Sequence, residues 1–161
     1  MPSNSTASIN QQLDLDKYVP ALVNFLSNKL SAGASHCYRK YFDVGVIEWR
    51  VLAMLKVESD ISANRICQVI GLDKAAVSRA LKQLQTAGHV SFLKDKYDGR
   101  SSLVQLTAQG IELHDKILEV ALAREKLLLE GVSPEDLEVL LKVLLKLNQN
   151  LKQVNMYEPN D

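Results

Sequence analysis

From Leu15 onward the apolar positions Tyr18, Leu22, Phe25, Leu26 and Leu30 recur at the spacing of one helix face, and the pattern fades near Gly33. A polar and aromatic connection follows. Val46, Ile47, Val51, Leu52, Met54 and Leu55 then predict a second helix ending before Glu58-Ser59-Asp60. Ser62 is suited to cap a short third helix whose apolar face is Ile66, Val69 and Ile70, with Gly71 as its stop. Asp73 caps a fourth helix that buries Val77, Ala80, Leu81 and Leu84 and ends at Gly88. Two segments rich in β-branched and apolar residues, Val90 to Leu93 and Leu103 to Leu106, flank a polar connection that turns at Asp98-Gly99, which predicts a hairpin. Thr107 can cap a fifth helix running to about Glu130 and broken at Gly131. Ser133-Pro134-Glu135-Asp136 opens a sixth with a cap, a proline at the first helical position and two acids in the first turn.

The sixth helix fills the a and d positions of consecutive heptads with Leu137 and Leu140, Leu144 and Leu147, and Leu151 and Val154. Leu141, Val143 and Leu145 widen the stripe, so this helix is expected to bury more than one side, and the five leucines Leu137, Leu140, Leu144, Leu147 and Leu151 are its candidate dimer seam. The fold class is mainly α with a small β-hairpin: a winged helix-turn-helix plus a helical dimerisation region. The expected organisation is a disordered tail over residues 1–12, an N-terminal helix and connection over 13–45, the winged helix-turn-helix over 46–106, dimerising C-terminal helices over 107–155 and a tail over 156–161.

Composition leaves this picture intact. Apolar residues make up 47% of the chain and charged residues 24%, the balance of a folded globular protein. No apolar run approaches the roughly 18 to 20 residues that span a bilayer, and the polar start lacks the order of a signal peptide, so no membrane association and a cytoplasmic location are expected. Cys37 and Cys67 sit far apart without a flanking ligand cluster, which indicates neither a disulfide framework nor a zinc site. Two reduced structural thiols are the favoured reading. A redox-sensing Cys37, set beside His36, Arg39 and Lys40, is the alternative. The histidines His36, His89 and His114 are scattered and no phosphate-binding glycine loop or nucleophile elbow occurs, so an enzyme, a metal and a cofactor are not expected.

Charge distribution changes the picture more. The formal net charge is zero, yet residues 61–106 carry seven Lys/Arg against three acids, a net of +4, while residues 107–161 carry six against ten, a net of −4. Two short helices joined by Gly71-Leu72 describe a helix-turn-helix, whose second helix enters a DNA major groove. On that helix Lys74, Ser78 and Lys82 share a stripe, Arg79 lies beside them, and Ala75 with Ala76 keeps the helix slim enough to approach bases. The hairpin tip adds Lys94, Lys96, Arg100 and Ser101, with Asp98 two residues before Arg100 and able to orient its guanidinium toward a minor groove. A basic helix face or a charged turn alone is as consistent with a solvated surface. Helix, turn, helix and hairpin in this order favour double-stranded DNA as partner, over a winged-helix module that serves only protein contacts.

The order and spacing of Leu72-Asp73-Lys74, Val77-Ser78-Arg79, Leu84, Gly88-His89-Val90, Asp98-Gly99-Arg100 and Leu106-Thr107-Ala108-Gln109-Gly110 resemble the multiple-antibiotic-resistance regulator (MarR) family over roughly residues 15–153. Phe92 departs from the pattern, standing where many members carry a basic residue. The resemblance implies a transcriptional regulator in which Ser78 and Arg79 read the major groove and Asp98 with Arg100 forms the wing tip. It also implies a homodimer built from the first, fifth and sixth helices. Such dimers usually repress transcription and leave their DNA when a small, often aromatic and anionic, effector enters a cleft between the dimer and DNA-binding parts. Candidate effector residues are Ser31, His36, Arg39, Trp49 and Arg50, with an arginine holding a carboxylate and Trp49 stacking on a ring. Core packing for Trp49 and a surface ion pair for Arg50 are the competing readings.

Overall fold

Six helices and three short strands follow one another in a computed structural model that describes residues 12–94 and 102–159. They are α1 (Val19–Phe42), α2 (Val46–Val57), β1 (Ile61–Ser62), α3 (Ala63–Ile70), α4 (Lys74–Thr86), β2 (Val90–Lys94), β3 (Ser102–Leu106), α5 (Ala108–Leu128) and α6 (Pro134–Asn155). The chain clusters into two compact units, residues 1–118 and 119–161.

Local chemistry sets most helix ends. The Ser62 hydroxyl accepts the Arg65 N–H at 3.2 Å, the Asp73 carboxylate accepts the Ala76 N–H at 2.8 Å, and the Ser133 hydroxyl accepts the Asp136 N–H at 3.1 Å. Each satisfies a backbone donor left without a partner in the first helical turn. Gly71 ends α3 at φ 73°, in the left-handed region, and its N–H bonds the Cys67 carbonyl. That conformation makes the turn from α3 to α4 tight enough for a helix-turn-helix.

In the first unit the core is assembled from α2, α3, α4, β3 and the start of α5. Val51, Leu52, Leu55, Ile66, Val77, Leu84, Val104 and Ile117 are its fully buried side chains. The strands form an antiparallel sheet in the order β1-β3-β2, with Ile61 opposite Val104 and Val90 opposite Leu106. β3 is therefore central, and its Val104 packs inward with no exposure.

The structure corrects the expected first helix at both ends. Its helix begins at Val19, after a turn, with Pro20 in its first turn, and it runs past Gly33 to Phe42 through residues assigned above to a connection. A glycine in a helix costs only about 1 kcal/mol relative to alanine, which the burial of Tyr38 against the second helix offsets. The helix stops where Asp43 turns left-handed and returns its N–H to the Arg39 carbonyl. β1 was not expected either, because two residues have no periodicity to read.

The second unit contains the end of α5, a turn through Gly131, and α6, which has no buried residue in the single chain. Among the described residues no helix is long and apolar enough to cross a membrane, and no group of three His, Cys, Asp or Glu is placed to hold a metal ion.

Candidate nucleic-acid interface

α4 divides its side chains between core and solvent. Ala76, Val77, Ala80, Leu81 and Leu84 are buried, and Lys74, Ala75, Ser78, Arg79 and Lys82 are all exposed. The Asp73 cap holds the first turn, and packing on α2, α3 and β2 holds the rest, so the exposed face is displayed on a rigid support. Lys94 is exposed at the end of β2. Lys96, Asp98, Arg100 and Ser101 lie outside the described residues.

The hairpin is fixed to α4 and α5 by one small knot of backbone. Thr107 donates its hydroxyl proton to the Gly88 carbonyl at 2.6 Å and accepts the Gly110 N–H at 3.1 Å, and its own N–H bonds the His89 carbonyl at 3.0 Å. Gly110 is needed there because a Cβ would lie 1.9 Å from the His89 carbonyl oxygen. The sequence Leu106-Thr107-Ala108-Gln109-Gly110 is thus a device for seating the first turn of α5 on the strand entry after α4. His89 Nδ1 is buried beside it and has no hydrogen-bond partner among the described residues.

The candidate effector residues separate. Arg50 donates to the Ser31 hydroxyl at 2.8 Å, a hydrogen bond rather than the ion pair considered above. Trp49 is stacked on His114, with centroids 5.3 Å apart and planes at 26°, and meets the edge of Tyr38 at 6.0 Å. Its ring is therefore engaged on α1 and α5 as packing. His114 is itself buried, and its Nδ1 lies 2.8 Å from the Asp115 carboxylate, which also pairs with Lys56 at 3.4 Å. The His114 hydrogen bond, with help from Lys56, holds the Asp115 carboxyl below the usual carboxylate range. His36 is exposed on α1.

Of the five, only Arg39 lines the larger cleft, about 510 Å3, between the α1–α2 corner and the end of α4. Asp43, Glu48, Lys82, Gln83, Thr86 and His89 supply its other polar groups, with Phe42, Val44 and Leu84 as apolar wall. Glu48 is buried, and its carboxylate accepts the Gly45 N–H at 3.0 Å, closing the start of α2. A second hollow of about 220 Å3 shares Arg39, Glu48 and Gln83 and reaches Arg79. Lys82, Gln83, Thr86, His89 and Glu48 were missed as cleft residues because two elements distant in sequence form the cleft. The one available cue was Glu48, a lone acid within the apolar run of α2.

This arrangement has known counterparts. A model described as the MarR family matches residues 42–101. The crystal structure of a MarR/EmrR family transcriptional regulator from Acinetobacter sp. ADP1 is 35% identical, covers 88% of this chain and 99% of its own, and superposes with a TM-score of 0.82. The chain belongs to the MarR family. Another relative is YdgJ of Bacillus subtilis (strain 168), an uncharacterized HTH-type transcriptional regulator, 33% identical over 104 residues. That match spans 65% of this chain and 63% of YdgJ. An E. coli MarR mutant complexed with operator DNA shares the MarR fold at 22% identity, covering 80% of this chain and 92% of its own with a TM-score of 0.71.

Proposed function

We propose that this MarR-family chain binds double-stranded DNA as a homodimer, placing α4 in the major groove and the tip of the β2–β3 hairpin in the neighbouring minor groove. The observation that carries this reading is the division of α4, apolar and buried on one side, with Lys74, Ser78, Arg79 and Lys82 displayed on the other beside a hairpin ending in Lys94. Ala75 leaves room for close approach, and Lys96, Asp98, Arg100 and Ser101 would supply the tip. The E. coli MarR mutant complexed with operator DNA supports the same reading.

Two symmetric copies read a palindromic operator with half-sites about one helical turn apart. Dimerisation rests on α1 and α6, whose apolar side chains stay exposed in the single chain: Leu22, Phe25 and Leu26 at 44 to 54% on α1, and Leu140, Leu144, Leu147 and Leu151 at 38 to 48% on α6. Leu137 continues the α6 seam. Anisotropy with labelled duplex tests the interface. Arg79→Ala is expected to cost about 1 to 3 kcal/mol on the operator and little on random sequence, whereas Lys82→Ala should weaken both and flatten the salt slope by about one unit. Equal loss on both duplexes in the Arg79 variant would remove Arg79 from base reading.

The chain acts as a repressor that a small aromatic carboxylate releases. Arg39 and Lys82 in the cleft suit the carboxylate, and Phe42, Val44 and Leu84 suit the ring. Because Lys82 belongs to both the cleft and the exposed face of α4, an occupant there acts on the helix that meets DNA. A panel of benzoates is expected to raise Tm and release operator DNA, with both effects lost in Arg39→Ala. A panel that does neither overturns the effector reading and leaves DNA binding standing.

A further inference from the structure

The charge count of the basic middle segment includes Arg65, the only Lys or Arg in α3. In a helix-turn-helix the first helix crosses the DNA backbone, so a free cation on it is in reach of phosphate. Here the cation is not free. Its Nε donates to Glu58 Oε2 at 3.0 Å and its Nη2 to Glu58 Oε1 at 2.7 Å, two parallel bonds in the fork geometry that arginine and carboxylate match best. The backbone N–H of the same residue is committed to the Ser62 cap at 3.2 Å. Glu58 caps the end of α2, so the pair ties that end, across the two residues of β1, to the first turn of α3. The hydrogen bond from Arg65 draws the Glu58 carboxyl below its ordinary range, so it is fully ionised at neutral pH.

We propose that Glu58 withholds Arg65 from DNA phosphate and so limits the sequence-independent part of the affinity. Both side chains remain partly exposed, but the pair as a unit carries no net charge. A phosphate meeting it displaces no condensed counterion, and the entropy of that release is what drives nonspecific binding. Glu58 lies just outside the segment whose net charge is +4, which is why counting charge along the chain overstates the cations that α3 offers. This inference rests on the proposed DNA-binding reading.

The test uses the full chain and a duplex of random sequence, with affinity measured by anisotropy across a salt series. Glu58→Gln keeps the shape and removes the charge. It is expected to steepen the slope of log K against log salt by about 0.9, equivalent to about an eightfold gain at 0.1 M salt relative to a 1 M reference. Glu58→Gln/Arg65→Gln, neutral like the pair, is expected to return the slope to that of the parent, and Arg65→Gln alone, which leaves Glu58 an unpaired anion, to give a slope no steeper than the parent's. Melting curves of all three variants are expected to stay close to that of the parent, as for an exposed pair. A slope unchanged in Glu58→Gln overturns the proposal. So does a slope lowered by about one unit in Glu58→Gln/Arg65→Gln, which would make Arg65 a phosphate contact that Glu58 positions. A parent chain with no salt-dependent binding at all overturns the DNA-binding reading beneath it, an outcome distinct from either.

Discussion

Replacing Gly110 by alanine is expected to destabilise the protein by about 3 kcal/mol, against the usual sign for a glycine in a helix. An ordinary Gly→Ala change inside a helix stabilises by about 0.5 to 1 kcal/mol, because glycine loses more backbone entropy on folding. At Gly110 the new methyl group meets the His89 carbonyl oxygen at 1.9 Å and the carbonyl carbon at 2.9 Å. Both are backbone atoms held by the Thr107 N–H, so no flexible side chain can move aside. Relief requires the first turn of α5 to lift, which strains the bonds from Thr107 to Gly88 and Gly110. Thermal melts should show a drop of about 10 °C, at 2 to 4 °C per kcal/mol for a chain of this size. A variant melting at or above the parent would mean that α5 does not approach His89 this closely.

Leu144→Glu is expected to turn the proposed dimer into a monomer at micromolar concentration. The proposed seam comprises Leu137, Leu140, Leu144, Leu147 and Leu151, and Leu144 is at its middle. In a two-fold interface the substitution enters twice, and each carboxylate would lose its water without an opposite charge, at a cost of several kcal/mol per copy. The fold of the first unit should survive, because its core contains no residue of α6. Sedimentation equilibrium measures the change directly. Operator affinity should fall by a factor of about 10² to 10⁴ as two linked half-sites become independent. Lys146→Gln, off the seam on the same helix, should leave the assembly unchanged. A dimer that persists in Leu144→Glu would place the interface elsewhere.

Comparison of these two sites shows what kind of information the chain carries in its order. The apolar stripe of α6 is legible from heptad spacing because one helix generates it alone. The Gly110 contact is not legible, since its partner is a carbonyl twenty-one residues earlier and a glycine in a helix reads as a weakness. The same division runs through the candidate interface. Asp73, Ser78, Arg79 and Lys82 can be assigned from a helical pattern and a cap, and their exposure agrees. Trp49 and Arg50 carry two readings in sequence, local packing or pairing and ligand holding, and the contacts with His114 and Ser31 that distinguish them come from other elements. Helix α1 runs on to Phe42 because tertiary contact at Tyr38 outweighs a weak local breaker.

By itself the sequence determined helices α2 to α6, the two principal strands, the caps of α3, α4 and α6, and the split of α4 into a buried and a displayed face. Those features arise from interactions within a turn or two of chain, where residue type and spacing are sufficient. Tertiary structure alone decided the pairing of Ile61 with Val104, the seat of α5 on His89, the cleft shared by Arg39 and Lys82, and the capture of Arg65 by Glu58. Each of these brings together groups from different elements, and their meeting depends on how the core packs.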